Sequence, residues 1–147
     1  MPVATPIYPD RRQQNHELIT KLTIERQEVM ALYRDFTELK TFSANDALKS
    51  LLTQFSQILV DYVALGHFGV YERVLSGNER RVRVLAVAQE IYPEFSATTD
   101  AVISFNDKYD NVDKIERFED LEQNLSVIGD NLAKRIDLED RLCEVMK

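Results

Sequence analysis

ILVDYVALGHFGVYERVL, Ile58 to Leu75, is the stretch on which the reading of the fold turns. Leading into it, Leu48, Leu51, Leu52, Phe55, Ile58, Leu59, Tyr62 and Val63 recur at three- and four-residue spacing, which lays one apolar stripe along a helix. Lys49, Thr53, Gln54 and Gln57 occupy the opposite side, as a solvated face requires. From Ile58 the polar side disappears. Val60, Ala64 and Leu65 join the stripe, and Asp61 is the only charge from Ile58 to Leu65. Gly66 then interrupts the run, ahead of His67 and Phe68. A helix that is apolar all round is either buried on every side or covered by a partner. Pattern alone leaves both open, and it leaves Asp61 equally readable as a lone solvated charge.

Toward the N-terminus, Leu18, Leu22, Arg26, Val29, Tyr33 and Phe36 form a second stripe, with Arg26 its one charged member. Asp10 with Gln13 three residues on resembles a capping pair and predicts a long helix from there. Pro2, Pro6 and Pro9 set residues 1–10 apart as a flexible tail, so a single helical-bundle domain is expected over 11–147. Ser43 with Asp46 is a second capping signal. Toward the C-terminus, Gly66, Gly69 and Gly77 mark the main local break. A run from Glu79 to about Tyr92 follows, with Arg80, Arg81 and Arg83 read as a solvated face. Pro93 is then expected as the first residue of a helix carrying Phe95, Val102, Phe105 and Tyr109.

The last helix is predicted from about Glu116 to Met146, along Phe118, Leu121, Leu125, Ile128, Leu132, Arg135, Glu139, Leu142 and Met146. Arg135 and Glu139 sit four apart at positions the pattern reserves for apolar side chains. Gly129 in mid-helix costs about 1 kcal/mol relative to alanine and suits close approach of another helix. No stretch alternates with period two. The predicted fold is all-α: an antiparallel four-helix-type bundle with additional short helices between Phe68 and Tyr92.

The chain has 147 residues, long enough to bury a core without covalent staples, and its single cysteine, Cys143, suits a reducing compartment. With 25 acidic against 18 basic residues the net charge is −7, which argues against non-specific nucleic-acid binding and admits a basic partner. No apolar run approaches the ~20 residues of a membrane span, and Met1–Asp10 has no signal-peptide pattern. Neither His16 nor His67 has a glutamate three residues before it, so no di-metal carboxylate pattern exists. His16-Glu17 lacks the second histidine of a zinc-protease motif, and no glycine-rich phosphate cradle is present. No catalytic residue, metal or cofactor is therefore expected. Arg26, His67, Arg135 and Glu139 read first as a structural polar network, and alternatively as a ligand- or metal-binding site of a helical bundle.

Val60 to Glu72, VDYVALGHFGVYE, closely resembles the signature of the Rsd/AlgQ family of bacterial anti-sigma regulators, roughly VDY-x-x-x-GHF-x-x-YE. The last helix resembles the same family through Leu125-Ser126-x-Ile128-Gly129 and Arg135-x-x-Leu138-Glu139-Asp140-x-Leu142. Phe105-Asn106-Asp107, Glu25-Arg26 and Tyr33 also fit, and the similarity runs from about Leu18 to Met146. Two departures stand out: Leu22 replaces a usual tryptophan, and Ala64-Leu65 replaces a usual Ser-Ala pair beside Asp61. The resemblance implies a cytoplasmic anti-sigma factor that binds the C-terminal promoter-recognition domain of the primary RNA polymerase sigma factor. It implies no direct contact with nucleic acid. By the same resemblance Asp61 is the partner-binding acid, with Leu65 and Phe68 supplying apolar contact. A helical binding module for another regulatory protein is the alternative.

Overall fold

The computed structural model describes residues 11–39, 46–71, 81–114 and 118–146. Within them the chain forms α1 (Arg11–Glu38), α2 (Asp46–Ala64), a π-helical run (Leu65–Tyr71), α3 (Val82–Lys108), a 3-10 turn (Val112–Lys114) and α4 (Leu121–Met146). No strand occurs among the described residues. The expected tail at 1–10, the cap at Ser43 and the break at Gly77 lie outside them.

Each helix buries the stripe its sequence spacing lays out. Leu22, Val29 and Phe36 face inward from α1, and Leu48, Leu52, Phe55, Leu59 and Tyr62 from α2. Val84, Ala88, Ile91, Phe95, Val102 and Phe105 do so from α3, and α4 closes the core from Leu121 to Met146. Phe55 is central. Its ring meets Phe36 at 5.3 Å and Phe105 at 5.8 Å, both edge-on, a geometry that adds about 0.5–1.5 kcal/mol per pair beyond area burial.

Paired residues run in opposite sequence directions between neighbouring helices. Asn15 reaches Met146, Arg26 reaches Glu139 and Tyr33 reaches Leu125, so α1 and α4 are antiparallel. Glu90 pairs with Arg141 and Lys108 with Asp120, which sets α3 against α4 in the same way. Arg81 is exposed, as expected of a solvated face, and also donates to the Met146 carbonyl at 2.9 Å, where a cation offsets the negative end of α4.

Two boundaries differ from expectation. Pro93 does not open a helix; it lies inside α3. The Ala88, Ile91 and Phe95 stripe passes through it unbroken, and burial of that stripe outweighs the backbone hydrogen bond a proline cannot make. Pro93 and Gln89, four residues earlier, are both exposed, so the carbonyl left over faces water. Gly66 does not end the helix either. The chain continues in wider turns to Tyr71, closing hydrogen bonds one residue later than an α-helix does.

Gly129 is the contact point of α1 and α4. The Tyr33 hydroxyl donates to the Leu125 carbonyl at 2.9 Å and lies where a side chain on Gly129 would project. A Cβ there would also stand 2.8 Å from Tyr33 Cζ. Gly129→Ala should therefore destabilise the fold by about 1–3 kcal/mol, the usual cost of overpacking, although alanine is the better helix former. In urea unfolding the loss should shrink in a Tyr33→Phe background. A stabilised Gly129→Ala would contradict this packing.

Candidate functional site

The last two turns of α2 divide the helix into two faces with different work. Tyr62 and Val63 turn inward, while Val60 and Asp61 turn outward to solvent. The girdle is thus buried on one side only, which answers the question its pattern left open.

On the inner side the structure brings Arg26, Arg135 and Glu139 together. Arg135 is 0% exposed. Its Nη1 donates to the Thr98 and Thr99 hydroxyls at 3.1 and 2.8 Å, and its Nη2 to the Val63 carbonyl at 3.3 Å. That carbonyl lies where α2 gives way to the π-helical run, so the change of helical pitch accompanies the side-chain contact. The guanidinium also lies over the Phe95 ring at 4.0 Å, with its Nε 3.3 Å from Glu139 Oε2. Glu139 accepts from the Tyr62 hydroxyl and from Arg26 Nη2 at 3.3 Å, and Arg26 Nη1 reaches Asp140 at 2.9 Å.

Burial raises the pKa of the Glu139 carboxyl, a rise that Arg135, the Tyr62 hydroxyl and Arg26 oppose. Burial lowers that of Arg135, opposed first by Glu139. Tyr62 is pushed well up, by burial and then by Glu139, so its hydroxyl keeps its proton at physiological pH. Gly66 completes the arrangement from the π-helical side. A Cβ on it would stand 2.8 Å from Glu139 Oε2 and 3.0 Å from Arg135 Nη2. A side chain there would displace the Glu139 carboxylate or the Arg135 guanidinium. His67, half-buried, sets its ring edge-on to Phe68 at 4.9 Å.

Sequence spacing missed Tyr62, Thr98, Thr99 and Asp140. Tyr62 stood in an apolar stripe, where its ring belongs and its hydroxyl is invisible to periodicity. The adjacent threonines carried no pattern that names an arginine partner. The side-by-side placement of Glu139 and Asp140 was the one available signal for a second acceptor of Arg26.

On the outer side Asp61 is exposed and accepts from the Gln57 amide one turn earlier at 3.2 Å. Phe68 is 66% exposed, the most exposed aromatic side chain described, whereas Leu65 is half-buried against the core. The three do not share one ideal helix face, because the wider π-helical turns rotate Phe68 relative to an α-helical continuation. Glu25 of α1 adds acidity. Burial raises its pKa, Lys21 opposes this, and Asp61 and Glu28 raise it further. Among the described residues no group of three or more His, Cys, Asp or Glu side chains is placed to hold a metal ion. Among the same residues no helix is long and apolar enough to cross a membrane.

Truncating the buried carboxylate tests the inner cluster. Glu139→Ala should cost about 3–5 kcal/mol, because it strands the desolvated Arg135. The double replacement Arg135→Met with Glu139→Leu should cost less than that single change. Denaturant midpoints at constant slope read both outcomes, and a double variant less stable than Glu139→Ala would refute the account.

No solved structure matches the chain. A "Regulator of sigma D" from Yersinia enterocolitica is 28% identical over 134 residues, covering 88% of this chain and 80% of its own. Proteins of the same name from Enterobacter sp. (strain 638) and Escherichia coli (strain K12 / DH10B) are 36% and 37% identical over 92 residues. Those two alignments cover 62% of this chain and 55% and 58% of the relatives, under two thirds of their length. The family described as "Regulator of RNA polymerase sigma(70) subunit, Rsd/AlgQ" matches residues 6–147. The chain belongs to the Rsd/AlgQ family of sigma(70) regulators, which are regulatory binding proteins and not enzymes.

Proposed function

We propose that this protein, acting in the cytoplasm, binds the C-terminal promoter-recognition domain of the primary sigma factor and withholds it from RNA polymerase. The observation that carries the reading is the pairing of an exposed carboxylate with an exposed aromatic ring on one well-anchored segment, Asp61 and Phe68. Carboxylates and large aromatics of this kind anchor interfaces once a partner excludes water. A helix-turn-helix module that otherwise grips DNA offers the complementary basic side chains, and Glu25 and Glu28 extend the acidic field that would attract them. Leu65 contributes apolar contact at the margin. The names of the relatives and the family description favour a sigma factor over another regulatory protein.

Titration with the isolated promoter-recognition domain of the cognate sigma factor is the direct test. Wild type should bind it at micromolar concentration or better. Asp61→Ala should leave the melting temperature unchanged and weaken binding by about 2 kcal/mol, a hot-spot effect of roughly 30-fold. Phe68→Ala should act in the same direction, and added salt should weaken wild-type binding only in part. No binding by wild type, or full binding by Asp61→Ala, would refute the assignment.

A further inference from the structure

The groove between the middle of α2 and the end of α3 contains a side chain that the packing leaves unsatisfied. Ser56, Gln57 and Val60 form one wall and Asn106, Tyr109 and Asp110 the other, around a space of about 190 Å³. Ser56 is only 6% exposed, yet its hydroxyl has no hydrogen-bond partner. Four helical threonines behave differently. The hydroxyls of Thr23, Thr53, Thr98 and Thr99 each donate to a backbone carbonyl three or four residues earlier. A desolvated hydroxyl without a partner lowers stability, so alanine would serve the packing of Ser56 better than serine does. The residue lines the groove, so a ligand seated there is the nearest source of the missing partner.

The walls define the ligand's chemistry. Asp110 supplies a carboxylate, and among the described residues no lysine or arginine lines the groove. The C-terminal end of α3 adds partial negative charge. Lys108, the neighbouring cation, is directed to Asp120 at 3.6 Å. Gln57 gives an amide proton to Asp61 and keeps its oxygen as an acceptor, while the exposed Val60 offers apolar surface. A planar guanidinium with an aliphatic stem meets both demands: its donors match the oxygens and its methylenes lie on the apolar wall.

We propose that this groove is an arginine-accepting subsite of the partner surface. It takes a guanidinium from the same basic protein that pairs with Asp61. Gln57 belongs to both places and lies four residues, about 6 Å along the helix, before Asp61. The partner would therefore present two basic side chains about one turn apart on a helix. The groove rests on the reading of Asp61 only for the identity of that partner.

Two measurements test it separately. In the first, N-acetyl-arginine amide is titrated into the protein and backbone amide shifts are followed by NMR. Saturable shifts should centre on Ser56, Gln57, Asn106 and Asp110. Ser56→Ala and Asp110→Asn should weaken them about tenfold, the scale of one hydrogen bond to a charged group. N-acetyl-lysine amide should bind more weakly. In the second, the same variants should bind the sigma domain about tenfold more weakly, while Ser56→Ala melts no lower than wild type. A serine that mattered only for folding would give the opposite pattern. Absence of saturable arginine shifts, equal shifts from the lysine probe, or undiminished sigma binding by both variants would overturn the proposal. Arginine shifts in a protein that fails to bind the sigma domain would support the groove and refute the proposed partner.

Discussion

A guanidinium removed from water must be met on every side, and Arg135 sets that demand at the centre of the bundle. Glu139 answers with charge, Thr98 and Thr99 with hydroxyls, Val63 with a carbonyl and Phe95 with the face of its ring. These partners come from α2, α3 and α4, and Arg26 draws α1 in through Glu139. Such a cluster adds little net stability compared with a well-packed apolar core of the same volume. Its effect is on register. A helix shifted by one residue would leave a buried charge unanswered, whereas a shifted leucine finds another apolar neighbour.

That fixed register governs what the outer surface can present. Asp61 and Tyr62 are consecutive, so the bond from Tyr62 to Glu139 holds the backbone from which Asp61 projects. Gly66 extends the same control to Phe68. Its missing side chain lets the π-helical run lie against the Arg135–Glu139 pair, two residues before the exposed ring. The interface proposed at Asp61 and Phe68 would thus be preorganised, and less ordering entropy would be lost when a partner docks.

The sequence made the four helices legible because burial follows period, and period survives in every stripe from Leu22 to Met146. It made the polar cluster visible for a related reason: Arg26, Arg135 and Glu139 each occupy a position where an apolar residue would be expected. The rest lay beyond the reach of spacing. Pro93 is a helix breaker by local rule, and only the apolar stripe on both sides of it reveals that tertiary burial prevails. Gly66 signals a break locally, yet its role depends on a helix distant in the chain. Tyr62, Thr98 and Thr99 act through single hydroxyls that leave no trace in hydrophobic patterning. Ser56 is the extreme case, since its significance is the lack of a bond.

The Tyr62–Glu139 and Val63–Arg135 contacts join residues 77 and 72 positions apart, and the Asn15–Met146 bond spans 131. Helical turns can form locally and fast, but these bonds wait for distant parts of the chain to meet, and loop-closure entropy must be overcome first. Until then Arg135 and Glu139 gain more from hydration than from docking. A partly assembled bundle with one helix detached would hold a desolvated charge without its partners. Such intermediates are disfavoured, and the buried ion cluster makes folding and unfolding of the four helices a concerted event.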